Sequence, residues 1–155
     1  MPDPRYFNTL IDATFLHSTG GPEGTAVNEI QKLHDNGDCL LLLAHSVRAE
    51  IEHHKTPAEV KRRAARFIYS RPVQLTAPEQ ATHARFRALM QGNAKPGKHA
   101  KDAFHLVESA KYGLFFITSD TRLLKKADEI YVMLPPFRVV KPTSFLEAYY
   151  QALEP

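Results

Sequence analysis

Three short apolar runs mark this chain, Leu10-Ile11, Cys39 to Leu43 and Leu114 to Ile117, with a last short strand expected at Phe137 to Val140. Runs this short and continuous, bounded by turn residues, suit strands that are buried on both faces. The stretches between them repeat at helical spacing. Ala26, Val27, Ile30, Leu33 and His34 form one apolar stripe, which Asn36-Gly37 stops. Ser46 is placed to cap a helix through Val47, Glu50 and Ile51. Thr56-Pro57-Ala58-Glu59 opens another helix, expected to run to about Ser70, with a short strand at Val73-Gln74-Leu75 after it. Further helices are expected from Ala77-Pro78-Glu79, over His99 to Tyr112 with a glycine cap at Gly113, over Thr121 to Asp128, and from Pro142 through Tyr150. The loop Gly92 to Lys98 separates two of them. Strands alternating with helices predict a single three-layer α/β/α domain, spanning 1–155, around a mostly parallel sheet.

The size and composition agree with one globular core. The chain has 155 residues, of which 43% are hydrophobic and 24% charged. No apolar run approaches the length of a membrane span, so no membrane partner is expected. Met1-Pro2-Asp3-Pro4-Arg5 lacks the basic-then-apolar build of a secretory signal, which predicts a cytoplasmic protein. The one cysteine, Cys39, opens an apolar run and reads as a small buried hydrophobe. The net charge is +3, a mild excess. Its distribution matters more: Lys55, Lys61, Arg62, Arg63, Arg66 and Arg71 crowd one stretch, and Lys95, Lys98, His99 and Lys101 another. Lys61, Arg62, Lys95, Lys98 and Lys101 are candidates to meet phosphates, against the alternative of a solvated face.

The acids sort themselves by position. In an open parallel sheet, ligands bind beyond the carboxyl ends of the strands. Asp12 ends the first strand, Glu50 lies early in the helix leaving the second, and Asp120 follows the strand Leu114 to Ile117. Asp102 begins a helix that leads back into that strand, which puts it at the same edge. Asp38, Asp128 and Glu129 fall at the opposite edge. Glu108 is six residues below Asp102, nearly two turns away, and Glu52 is about 200° around from Glu50. Four converging carboxylates repel unless a cation neutralises them. Mg²⁺ or Mn²⁺ suits such an all-oxygen set and can promote in-line attack of water on a phosphate. Asp12 and Asp102 are expected as direct ligands, with Glu50 and Asp120 binding directly, through water, or orienting the nucleophile. Thr14, Ser46, Thr118 and Ser119 stand beside these acids and can hold carboxylates or waters; for Ser46 and Ser119, helix capping competes.

The same segments carry a family resemblance. Leu10-Ile11-Asp12-Ala13-Thr14-Phe15-Leu16 resembles the opening of PIN-domain proteins, in which an apolar strand delivers an Asp. Val47-Arg48-Ala49-Glu50-Ile51, Lys101-Asp102-Ala103-Phe104-His105-Leu106 and Phe116-Ile117-Thr118-Ser119-Asp120 are similar to the second, third and fourth acidic motifs of that family, in the same order. The resemblance implies a Mg²⁺- or Mn²⁺-dependent ribonuclease acting on RNA. Such proteins are often toxins restrained by a small antitoxin, and are frequently homodimers. Ala13 departs from the usual hydroxyl residue after the first Asp, and Leu123 stands where many members carry another acid. The loop Gln91 to Lys98 is also unusually basic.

Two other readings are open. One is a catalytically weak RNA-binding module on the same fold, using the basic stretches. The other is a receiver-like protein phosphorylated on Asp12, which would want a second acid beside that strand and finds none. His53-His54 and His105 suggest zinc, but without a recurring Cys/His spacing they read as packed or hydrogen-bonded histidines. Phe104, Phe115 and Phe116 read as core.

Overall fold

Three buried triplets lie side by side at the centre of the sheet. They are β1 (Thr9–Ile11), β2 (Leu41–Leu43) and β4 (Phe115–Ile117), and every residue in them is buried. β3 (Ile68–Tyr69) and β5 (Arg138–Val140) add the edges. The order is β3-β2-β1-β4-β5 and all neighbours are parallel. The computed structural model describes residues 2–17, 20–95 and 99–155. Short strands suffice here because no face of the central three meets water, so each residue contributes two-sided apolar burial.

From β1 the chain steps outward to β2 and β3, then crosses back to β4 and outward again to β5. Right-handed crossovers put the connections of the two halves on opposite faces. The first half supplies α1 (Ala13–His17), α2 (Gly21–Asp35), α3 (Arg48–Ile51) and α4 (Ala58–Ala64). The second supplies α5 (Ala77–Gln91), α6 (Ala100–Tyr112), α7 (Thr121–Lys125) and α8 (Ala127–Met133). The last helix, α9 (Pro142–Leu153), packs on α2, while α5 packs on α6. The result is the expected three-layer α/β/α arrangement. Phe15, Phe86, Phe115, Phe116 and Phe145 are fully buried in its core. Cys39 is buried as expected, and burial pushes its thiol up to about 12. No helix among the described residues is long and apolar enough to cross a membrane.

The structure departs from the sequence reading at several places. The helix from Thr56 stops at Ala64 rather than near Ser70, and Ile68–Tyr69 is a strand. Val60, Ala64 and Phe67 are all buried, so helical spacing continues past the real helix end. Ile68 is 65% exposed on the sheet edge, which hides the usual apolar signal of a strand. Val73-Gln74-Leu75 consequently forms no strand. Thr121 to Asp128 is broken at Lys126 into α7 and α8. Phe104 is only half-buried, edge-on to His83, whereas Phe115 and Phe116 are core.

Gly113 ends α6 as expected, but not by a left-handed turn. Its φ is −153°, which is extended backbone. Glycine is needed because a Cβ there would lie 2.3 Å from the backbone oxygen of Asn8 and 2.8 Å from Leu10 Cδ2. The close approach lets the Leu114 amide reach the Asn8 carbonyl at 3.1 Å, which starts the β1–β4 pairing. Gly113→Ala is therefore expected to cost about 2 kcal/mol in urea unfolding, the scale of overpacking against a backbone that cannot move freely. A change within about 0.5 kcal/mol would mean that this edge yields easily.

Candidate functional site

The site begins where β1 and β4 end together. Ile11 and Ile117 are register partners, so Asp12 and Thr118, one residue on, emerge side by side. Chain direction on the sheet diverges between these two strands, which opens a crevice at their carboxyl ends. Asp12 is buried there. It accepts hydrogen bonds from Thr118 Oγ1 at 2.6 Å, Thr14 Oγ1 at 2.5 Å and the Phe15 amide at 3.3 Å. Each threonine oxygen also accepts a backbone amide from the turn after β4: Thr14 from Ser119 at 2.9 Å and Thr118 from Asp120 at 3.0 Å. One carboxylate thereby fixes the loop that carries another. Burial raises the Asp12 carboxyl to about 6 against these hydrogen bonds, and the charge of Asp120 adds to the rise.

Asp120 caps α7, accepting the Arg122 amide at 2.9 Å. Capping thus falls to Asp120 and not to Ser119. Arg122 then turns back across the crevice. Its Nη2 donates to Asp102 Oδ2 and lies 3.3 Å from Asp120 Oδ2, while Nη1 meets the His99 ring. Asp102 sits in the first turn of α6, with His99 Nδ1 3.8 Å from its Oδ2. Two of the four acids therefore share one guanidinium.

The fourth acid, Glu50, reaches in from α3 at the mouth, its side chain 60% exposed. His105 Nε2 faces Glu50 Oε2 at 3.7 Å, and the imidazole is the main cause that holds the Glu50 carboxyl below its ordinary range. Lys101 and His17 reinforce this. Ser46 does not cap a helix. It lies in a 3₁₀ turn, His45–Val47, where its amide and its hydroxyl each donate to Glu108 Oε1 at 2.8 Å. Ser46 Oγ is also 2.6 Å from His105 Nδ1. Glu108 is 1% exposed, so this acid, set aside because it sits too far down α6, supports the site from beneath.

Asp12, Glu50, Asp102 and Asp120 all line one cleft of about 70 Å³, together with Thr14, His105 and Leu123. A wider depression of about 570 Å³ adjoins it through Ala13 and Glu50, and is lined by His17, His53, Lys55 and Lys101. Of the basic residues singled out earlier, Lys101 is beside the acids. Lys61 and Arg62 are exposed on α4 and line neither space, and Arg62 pairs with Glu59. Lys95 is exposed and lines neither; Lys98 lies outside the described residues. Arg122 was missed, Glu108 was set aside, and His99 was read only as a member of a basic cluster. Glu108 had a usable signal, since it follows His105 by three residues on the same helix face. Arg122 had none. No family model matches the chain, and no curated protein or solved structure matches it.

The buried Asp12 makes a pH-dependent contribution to stability. The unfolded carboxyl ionises near 3.8 and the folded one near 6. The folded state thus holds its proton longer, and stability falls as pH rises through that window. Above it the loss amounts to about 3 kcal/mol. Asp12→Asn keeps the shape and removes the charge, and turns one of the two oxygens that accept from Thr14 and Thr118 into an amide donor. Metal-free Asp12→Asn is expected to melt above the native protein at pH 7.5 and to lose that advantage below pH 4. A lower melting point at both pH values would show that the oxygen acceptors of Asp12 hold the turn more strongly than its charge weakens it.

Proposed function

We propose that this protein is an endoribonuclease that hydrolyses RNA phosphodiester bonds with the help of Mg²⁺ or Mn²⁺. One observation carries the reading: four acids from four separate elements line a single cleft at the carboxyl edge of a parallel sheet. The resemblance to PIN-domain nucleases points the same way. A toxin role, a small antitoxin and a homodimer rest on that resemblance alone.

The residues fit a hard divalent ion by their chemistry. Asp12, Glu50, Asp102 and Asp120 offer only carboxylate oxygen, and buried Asp12 gains most from a nearby positive charge. Such an ion would set positive charge against the phosphate oxygens and make a water more acidic. The protein's own contribution is positioning. Thr14 and Thr118 fix Asp12 against the β4 turn, and Lys55 and Lys101, which line the adjoining depression, supply positive charge to meet phosphates. Arg122 qualifies the fit, because it stands between Asp102 and Asp120, and no three acids or histidines among the described residues close round a common point. That observation favours the second reading, an RNA-binding module with weak metal affinity.

Two measurements separate these readings. The first is cleavage of a mixed RNA panel with Mg²⁺ or Mn²⁺ by the native protein, Asp12→Asn and Asp102→Asn. Cutting by the native protein alone supports the nuclease. RNA binding without cutting in any of the three would favour the module. The second is Mn²⁺ titration calorimetry of Arg122→Gln. Removing the competing guanidinium is expected to tighten Mn²⁺ binding about tenfold, equivalent to about 1.4 kcal/mol. Weaker binding would mean that Arg122 orders the acids rather than competing for them.

A further inference from the structure

We propose that Phe104 seats a nucleobase of the bound RNA, stacked in an apolar hollow beside the acid cleft. The proposal rests on the reading above that this face meets RNA; it does not need the RNA to be cut.

α6 buries one apolar side. Ala103, Leu106 and Val107 belong to the core. Phe104 follows Ala103 by about 100° around the helix, which turns it off that side. It is half-buried and stands outside the core cluster, edge-on to His83 with 5.7 Å between the ring centres. Core packing therefore does not account for a large aromatic ring at this position.

The ring lines a hollow of about 300 Å³, together with Ala49 of α3 and Ala100 of α6. Small-ligand sites begin at about this size, roughly 300–1,000 Å³. Glu50 and His105 line both the hollow and the acid cleft, so the two spaces are neighbours. Glu50 and Lys101 line both the hollow and the wider depression. An occupant of the hollow thus lies beside the acids and beside a lysine.

Chemistry narrows the choice of occupant. A phosphate placed in the hollow would meet the Glu50 carboxylate and apolar walls. A nucleobase is flat and uncharged, and every base has a face that stacks on an aromatic ring. Its phosphates stay outside, where exposed Lys101 can pair with one of them. Ser46 also lines the hollow, but its hydroxyl donates to Glu108 Oε1 at 2.8 Å. With that hydroxyl engaged, the base is held by stacking more than by reading of its edge.

The chain has no tryptophan, so Phe104→Trp places a single reporter in the hollow. The probe is a short single-stranded oligoadenylate with phosphorothioate linkages, which resist hydrolysis, titrated with Mg²⁺ present. Its binding is expected to quench the tryptophan emission, and an abasic strand of the same length and charge is expected to leave that emission unchanged. Phe104→Leu should weaken oligoadenylate binding about tenfold, the scale of one base–aromatic stack, and leave binding of the abasic strand as it is. Leucine keeps the position apolar, so a loss confined to the strand that carries bases is not a packing defect. Equal affinity of the native protein and Phe104→Leu for oligoadenylate would overturn the seat, as would equal losses for the two strands. Should Phe104→Leu fail to fold, the tryptophan decides: quenching by oligoadenylate alone supports the seat, and no quenching, or the same quenching by both strands, overturns it. A native protein that binds neither strand removes the seat together with the RNA reading. One that binds oligoadenylate, with the loss in Phe104→Leu, but cuts no RNA keeps the seat and loses only the nuclease.

Discussion

The hydrogen bonds from Thr14 and Thr118 to the Asp12 carboxylate organise the whole carboxyl edge of the sheet. They join the end of β1 to the end of β4 through side chains, one step beyond the last backbone pairing of Ile11 with Ile117. Each threonine uses its proton on Asp12 and its oxygen on an amide of the following turn. A small hydroxyl suits both places, since one atom there both donates and accepts. The cost is a desolvated carboxylate, which the same hydrogen bonds only partly offset.

Charge around that anchor is balanced unevenly. Arg122 spans Asp102 and Asp120, and His105 stands by Glu50, whereas Asp12 receives only neutral donors. Positive charge arriving in the cleft is therefore worth most at Asp12, its least compensated member. The deeper support comes from Glu108 and Ser46, which hold the His105 ring from the side away from the cleft. An acid that lies well below the cleft along α6 thus holds the serine that the His105 ring meets. Electrostatics in a site this small is decided as much by what lies behind the walls as by what lines them.

The surrounding surface follows the same division. The depression beside Glu50 gathers His17, His53, Lys55 and Lys101 from α1, the loop after α3, and α6. The denser run Lys61-Arg62-Arg63 gives it nothing. Arg62 is paired with Glu59, and Arg63 donates to the Leu16 carbonyl at 2.7 Å. Basic density along the chain is thus a poor guide to basic density in space, because a helix distributes neighbours around its axis.

What the amino-acid sequence determined by itself was everything local and periodic. Apolar triplets too short for helices had to become buried strands, and their alternation with amphipathic helices required a parallel sheet with both faces covered. Placing Asp12, Glu50, Asp102 and Asp120 at one edge followed from strand direction alone, because each acid lies within a few residues of an element end. What tertiary structure decided were the contacts between elements distant in sequence. The edge strand Ile68–Tyr69 exists only because Leu42 and Leu43 pair with it. Gly113 is required by Asn8, 105 residues away in the chain by count but 2.3 Å from an added Cβ. Arg122 reaches Asp102 and Glu108 reaches Ser46 only after α6 has docked against β1 and β4. Hydrophobic periodicity is a property of single elements and can be read along the chain; the partner of a charged or hydroxyl side chain is set by packing, which has no local signature.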